Sequence, residues 1–373
     1  MASQARVSFR VGPLIDMPLL LGMFAIATLG IVNLYSATSA YADTASRSGL
    51  ADIYVSQIYW IVVGVLLAIL TAAIDYRFYE RVAMIGYLGG LVALGLVFVM
   101  AADIRGSSRW IQIGSFFFQP SEFMKIFVVL AVAKHLHNEP KTEPRTLLDL
   151  AIPAGLTLVP VAAVMAQPDL GTSMIYLLSA ATMLAMTRIA RSTIVTLLML
   201  AGGSMFVAYK YVLRGYQLLR IESFLNPEID KTGSGWHAAQ SLTAIGNGGL
   251  AGEGFMQGTQ NQFGFLPDQH SDFPFAVFAE EWGFLGSSVL LALYCFVCVW
   301  SVHVSSQAKD RFGAAVAIGI GAMVFWHAVF NIGMAMGLLP VVGITLPLFS
   351  YGGSSVVTML IGFGLLMNVS MRR

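Results

Sequence analysis

The sequence predicts an all-α integral membrane protein of ten transmembrane helices, with a long ordered extracytoplasmic loop between spans seven and eight. Three observations carry this reading. Of 373 residues, 57% are hydrophobic and only 11% charged, whereas a soluble globular chain averages about 25% charged residues. Ten apolar stretches reach or approach the roughly 20 residues that cross a bilayer as a helix. Finally, the basic residues are shared very unevenly between the connections. An ordinary soluble enzyme is excluded, and a net charge of +1 argues against a nucleic-acid binder. Cys295 and Cys298 sit inside one apolar run, so neither a disulfide scaffold nor a zinc cage is in view.

The spans run near 14–36, 55–74, 82–101, 121–137, 148–166, 170–187, 192–211, 274–300, 312–336 and 353–370, the fourth and sixth being short. Arg6, Arg10 and Ala40-Tyr41-Ala42 give the first span the flanks of a secretory signal. Its apolar run exceeds the about 7–15 residues of a signal core, so a retained span is the reading. All 373 residues form a single polytopic domain, with 213–273 as a loop within it.

An even span count places both termini on one side. With the N-terminus inside, the inner segments hold Arg6, Arg10, Arg77, Arg81, Lys134, Lys141, Arg145, Arg188, Arg191, Lys309, Arg311, Arg372 and Arg373, while the short outer loops hold only Arg47, Arg105 and Arg109. Short-loop cations mark the cytoplasmic side, so both termini are cytoplasmic in a multi-pass membrane protein. The outer face then carries the organised material, 102–120 and 213–273. Loops of that length in a compact fold are usually functional or disordered. Trp236, Phe255, Phe263 and Phe265 favour order in the longer one, and His237–Ile245 reads as a short helix ended by Asn247-Gly248-Gly249, a plausible left-handed stop.

Charge in or beside a span is a functional candidate by default. Glu122 and Lys125, three apart on one helix face, serve either as a local ion pair or as substrate groups. Arg105 and Arg109 either snorkel at the interface or bind phosphate bidentately. Asp169, after Gln167-Pro168, either caps span six or takes part in chemistry. Within the long loop, Arg220 offers a further cation, and Gln240 and Ser241 offer polar groups on the short helix. The densest constellation is Phe265-Leu266-Pro267-Asp268-Gln269-His270-Ser271-Asp272-Phe273-Pro274. Pro274 suits the first turn of span eight and places Asp272 near its cap. Glu280 and Glu281 follow; adjacent helix positions diverge, so one is expected to line a cavity and the other to meet polar groups in the bundle. His327 and Asn331, one turn apart in span nine, read as interhelical hydrogen-bonding groups. The uncharged, Gly- and Pro-rich segment from Leu339 to Ser354 predicts irregular backbone at membrane depth, tolerated where it is buried or lines a cavity.

These motifs together resemble the SEDS family (shape, elongation, division and sporulation) of polytopic peptidoglycan glycosyltransferases. The matching residues are Arg109-Trp110, Gln119-Pro120-Ser121-Glu122, Gln167-Pro168-Asp169-Leu170-Gly171-Thr172, Phe265-Leu266-Pro267, His270-Ser271-Asp272-Phe273 and Ser350-Tyr351-Gly352-Gly353-Ser354. Asn226-Pro227-Glu228 and Gly258-Thr259-Gln260-Asn261-Gln262 are similar to the family's elongation branch more than to its division branch. The resemblance implies a ten-span fold and polymerisation of lipid II into glycan strands at the outer membrane face. It also implies a class B penicillin-binding protein transpeptidase as partner, other elongation-complex proteins, and a divalent cation, Mg2+ or Mn2+. The family's essential Asp falls on Asp272, and its span-four Glu and Lys on Glu122 and Lys125. Two departures are visible: Ser271 replaces the usual Thr, keeping the hydroxyl, and Pro274 replaces the usual Ile. On this reading Asp272 is the general base. Arg109, Glu122, Lys125, Asp169, Arg220, Gln240, Ser241, Glu280 and Ser350 contact substrate, with Lys125, Arg109 and Arg220 toward pyrophosphate. The rival readings are a lipid II flippase, which would place its ionisable groups near the midplane, and a non-catalytic scaffold.

Overall fold

The computed structural model describes residues 15–39, 52–104, 107–114, 116–212, 215–226, 230, 233–266 and 268–373. Arg6, Arg10, Ala40-Tyr41-Ala42, Arg47, Arg105, Pro227, Glu228 and Pro267, all used above, lie outside the described residues. The architecture is helical with one small sheet. In chain order come α1 (Met17–Ser39), α2 (Ile53–Ala73), α3 (Tyr76–Met100), β1 (Ala101–Ile104), β2 (Ser107–Ile113), β3 (Phe116–Phe118) and α4 (Pro120–Asn138). They are followed by α5 (Ala151–Ala166), α6 (Leu170–Ala185), α7 (Arg191–Val207), α8 (Gly215–Leu225), α9 (Ser234–Asn247), α10 (Thr259–Gln262), α11 (Pro274–Gln307), α12 (Arg311–Ala335) and α13 (Gly353–Met371).

Among the described residues, seven helices are long and apolar enough to cross a membrane: α1, α2, α3, α5 with its leading turn, α11, α12 and α13. The other three stretches in the ten-span reading fall short for distinct reasons. Glu122, Lys125, Lys134 and two histidines dilute the hydropathy of α4, while α6 and the apolar part of α7 are too short. At 1.5 Å per residue, the 16 residues of α6 reach only about 24 Å.

Burial separates the centre from the rim. The apolar windows of α12 and α13 are 72% and 83% buried, against 17% for α2. Helix α13 packs along α2 and against α12, and α12 also packs on α11, α4 and α6. That arrangement explains why α4 holds charge: Glu122 and Lys125 are enclosed by protein rather than lipid.

The segment at 102–120 is a three-stranded antiparallel sheet in the order β1-β2-β3, with Ala102 opposite Trp110 and Ile111 opposite Phe118. Strands of three to seven residues are too short for an alternation to stand out in the sequence. Ile111, Ile113 and the Phe116–Phe118 run supply the β-favouring residues, and Gly114, at φ +63°, makes the turn.

Within the long loop, the short helix is α9, longer at both ends than the sequence reading. Gly248 still has helical angles, and the left-handed residue is Gly249 at φ +50°. The second departure concerns span eight, which is not continuous. Gly283 has φ 62° and ψ −162°, breaking α11 after its first turns. Backbone of 249–254 is spliced into the break. The Glu253 and Gly254 amides donate to the carbonyls of Glu280 and Glu281 at 2.9 and 3.0 Å. In return, the Phe284 and Leu285 amides donate to Gly249 and Leu250 carbonyls at 2.9 and 3.1 Å. A broken helix inside a bilayer persists only where neighbouring protein satisfies the freed groups. Glycine is required here because a Cβ on Gly283 would fall 2.4 Å from the Gly252 nitrogen, besides demanding a left-handed φ.

Candidate active site

The starts of α4, α6 and α11, the end of α12 and the segment leading into α13 surround a cavity of about 510 Å3. Six of the residues singled out in the sequence line it: Arg109, Glu122, Lys125, Asp169, Arg220 and Asp272.

Pro120 at the first turn starts α4 and fixes where Glu122 and Lys125 fall. Both are buried, and Lys125 Nζ lies 2.8 Å from Glu122 Oε2. The same Nζ is 2.9 Å from Nε2 of His327 on α12. An ammonium group has only donors. His327 therefore accepts through Nε2, and its Nδ1 is left to donate to the Met323 carbonyl at 2.7 Å. One cation thus cross-links two helices within the cavity wall.

The second charged group is built on β2 and the start of α6. Asp169 caps α6, accepting the Thr172 amide at 3.1 Å and its hydroxyl at 2.9 Å. Arg109 reaches over from β2, with Nη1 3.7 Å from Asp169 Oδ1 and Nε donating to the Gln167 carbonyl at 3.2 Å. Its Nη2 donates to the Pro168 carbonyl. Gln119 donates to Asp169 Oδ2 at 3.3 Å, and the Tyr176 hydroxyl donates to the Ser121 carbonyl at 2.6 Å, so α4 and α6 are held in fixed register. Asp169 therefore caps α6 and, with the same carboxylate, pairs with Arg109.

Asp272 sits on the turn before α11, whose N-cap is Phe273, one residue beyond it. Its amide donates to the Asp268 carbonyl at 3.0 Å, and Asp268 takes the left-handed conformation at φ +44°. Its carbonyl accepts from Asn331 Nδ2 at 3.0 Å, and the same amide group donates to the Ile344 carbonyl at 2.7 Å. The Tyr351 amide donates to the His270 carbonyl at 2.8 Å. Two irregular segments, 268–273 and 343–352, are thereby clamped to each other and to α12. Gly343, at φ +71°, brings backbone close: a Cβ there would lie 3.5 Å from Asp272 Oδ2. Behind the site, His237 on α9 packs against Phe273, and burial lowers its pKa against the opposing pull of Asp268 and Asp230.

Four sequence candidates are not on the cavity wall. Ser241 donates to the Ala335 carbonyl at 2.7 Å, fastening α9 to α12. Gln240 is half-buried on the same helix. Ser350 closes a turn, its hydroxyl accepting the Leu346 amide at 2.7 Å and its carbonyl accepting Gln57 Nε2 at 2.9 Å. Glu280 accepts the Gln260 and Asn261 amides at 2.9 and 3.3 Å and the Thr259 hydroxyl at 3.3 Å. Glu281 accepts from Ser36 and, at 3.2 Å, from Asn261 Nδ2. The expectation that one of the two carboxylates lines the cavity is not met. The break at Gly283 lets the loop wrap round the helix and engage both. Conversely, His327 belongs to the cavity, and nothing in the sequence ties it to Lys125, 202 residues earlier.

With this geometry in hand, comparison with known proteins is decisive. The profile of the FtsW/RodA/SpoVE group, described as “Cell cycle protein”, matches residues 17–373. The chain belongs to the FtsW/RodA/SpoVE (SEDS) family. Peptidoglycan glycosyltransferase MrdB of Escherichia coli is 36% identical over 339 residues, covering 91% of this chain and 90% of that one. The solved rod shape determining protein RodA of Thermus thermophilus superposes with a TM-score of 0.69 at 30% identity, covering 95% and 96% of the two chains. A chain from a peptidoglycan synthase complex, described as coordinating polymerization and crosslinking, superposes at 0.81 with 32% identity, covering 95% and 97%. The SEDS assignment accords with a helical membrane protein whose charged groups converge on one cavity.

Proposed function

We propose that this chain is a peptidoglycan glycosyltransferase of the elongation branch, polymerising lipid II into glycan strands with Asp272 as general base. The observation that carries the reading is convergence. Asp272, the Glu122–Lys125–His327 cluster and the Arg109–Asp169 pair come from distant parts of the chain and line a single cavity. A carboxylate facing cations across a cavity is what displacement of pyrophosphate by a sugar hydroxyl needs.

The acceptor 4-hydroxyl attacks the anomeric carbon of the donor with inversion. The bond from that carbon to the pyrophosphate oxygen breaks, and Asp272 takes the hydroxyl proton. Lys125, positioned by Glu122 and His327, with Arg109 and Arg220, meets the charge on the departing pyrophosphate. General-base catalysis contributes roughly 10²–10⁴-fold; positioning and charge stabilisation supply the rest. No group of three His, Cys, Asp or Glu that could hold a metal occurs among the described residues. We route no step through a resident cation. An Mg2+ or Mn2+ ion carried on substrate pyrophosphate is the form in which we propose one.

We place the chain in the inner membrane with both termini cytoplasmic, ten spans being reached by counting α4, α6 and α7. A class B penicillin-binding protein is the proposed transpeptidase partner. The test is purified Asp272→Asn with labelled lipid II: polymer formation falls by about 10²-fold or more in a folded protein. Near-full turnover would sink the base assignment.

A further inference from the structure

A second cavity, of about 480 Å3, lies between the opposite ends of the same helices that frame the first. Helix α4 has Glu122 and Lys125 at one end and Leu136 at the other. Helix α6 runs from Thr172 to Met183, and α12 from Arg311 and Ile318 back to His327. The two cavities therefore open at opposite membrane faces, and this one lies on the side that the basic short loops assign to the cytoplasm.

Its wall is strongly cationic. Lys141, Arg145, Arg188 and Arg311 line it, with Glu143 as the acidic member. Lys141 is already paired with Asp149, whereas Arg145, Arg188 and Arg311 form no ion pair among the described residues. Arg145 is 4% exposed, and its Nη2 donates to the Glu139 carbonyl at 2.9 Å. Its Nη1 is buried without a hydrogen-bond partner among the described residues. A buried guanidinium nitrogen left unsatisfied calls for an anion. Arg311 opens α12, where the helix dipole disfavours a cation. Backbone pairing fixes the frame: the Arg145 amide donates to the Arg188 carbonyl at 2.8 Å, and the Ala190 amide to the Arg145 carbonyl at 3.1 Å. Thr142, Thr187 and Ser305 add hydroxyls, and Leu136, Met183, Met186, Ala314, Ala315 and Ile318 form an apolar side. Met183 and Ile318 are buried within it, and Met186 is 63% exposed at its edge.

From the unsatisfied guanidinium, the cationic rim and the apolar side wall, we infer that this cavity binds the phosphate ester of an anionic phospholipid headgroup from the cytoplasmic leaflet. Basic pockets between membrane helices have this chemistry. The apolar side wall provides a path for the acyl chains, which a soluble phosphate ester lacks.

The test uses the full chain in neutral detergent, titrated with phosphatidylglycerol or phosphatidylcholine and read by native mass spectrometry. Phosphatidylglycerol binds in a 1:1 complex that phosphatidylcholine does not form. Arg188→Gln with Arg311→Gln, both exposed positions outside the catalytic cavity, weakens that binding by roughly tenfold per guanidinium removed. Arg81→Gln, an exposed cation of the same face outside the cavity, leaves it unchanged. Equal binding of the two lipids, an undiminished affinity in the double variant, or an equal loss in Arg81→Gln would overturn the inference. Glycerol 1-phosphate binding as tightly as the lipid would also overturn it, by assigning the site to a soluble phosphate ester.

Discussion

Replacing Lys125 by Met separates what this side chain does for folding from what it does for chemistry. The ammonium lies 2.8 Å from Glu122 Oε2, and the two side chains are 2% and 9% exposed. At an effective dielectric constant of about 20, the gross attraction at that distance is about 6 kcal/mol. Part of it offsets the desolvation of both ions, and breaking such a buried pair from one side costs about 3–5 kcal/mol. His327 loses its donor at 2.9 Å as well, so the upper part of that range is expected. Lys125→Met should therefore unfold at a clearly lower temperature in a detergent thermal-shift assay. The double variant Glu122→Gln, Lys125→Met leaves no buried charge and should regain most of the lost stability. Polymerisation of labelled lipid II should stay about 10²–10³-fold down in both variants, because a charge aimed at the departing pyrophosphate is missing. A Lys125→Met protein as stable as the parent would refute the buried-pair reasoning. A stable double variant with parental activity would refute the substrate role.

Three further outcomes follow from the same geometry. Asn331→Leu strips two carbonyls of their donors at 3.0 and 2.7 Å; we expect about 2–3 kcal/mol lower stability and a fall in kcat with little change in KM, read by steady-state polymerisation. Gly343→Ala forces a methyl-bearing residue to φ +71° beside the Asp272 carboxylate, costing about 1–2 kcal/mol and lowering turnover, checked by thermal shift and by the same assay. Glu280→Ala frees the Gln260 and Asn261 amides, so limited proteolysis within 249–266 should accelerate while the variant still binds lipid II.

Local chemistry was legible in the sequence; long-range company was not. Glu122 and Lys125 share a face because they are three residues apart on a helix, and Asp169 precedes an apolar run in the position of a cap. Both facts are readable within a few residues. Lys125 and His327 meet only because α4 packs on α12, and no spacing records that. The break at Gly283 was hidden for a related reason: an isolated glycine in an apolar run is unremarkable, and its necessity lies in backbone from 249–254 approaching it. The reading of Glu280 followed from treating α11 as one continuous helix. With the loop spliced into the helix, both carboxylates of the Glu280–Glu281 pair become anchors for Asn261.

The placement of Asp272 depends on irregular backbone rather than on the helix that follows it. Its turn is closed by the Asp272 amide on the Asp268 carbonyl and held from outside by Asn331 on α12 and by the Tyr351–His270 bond to the segment before α13. The first turns of α11 are held separately. Asn33 on α1 donates to the Pro274 carbonyl at 3.0 Å, and the four backbone bonds at Gly283 tie 280–285 to 249–254. The 249–254 segment with the first turns of α11 forms one set of contacts and the 268–273 turn another, so a displacement of the former carries Asp272 along only by breaking the Asn331 or the Tyr351 bond. Asp272 and Lys125 are thereby both referred to α12, the one through Asn331 and the other through His327, so that helix sets the separation between the carboxylate and the cation.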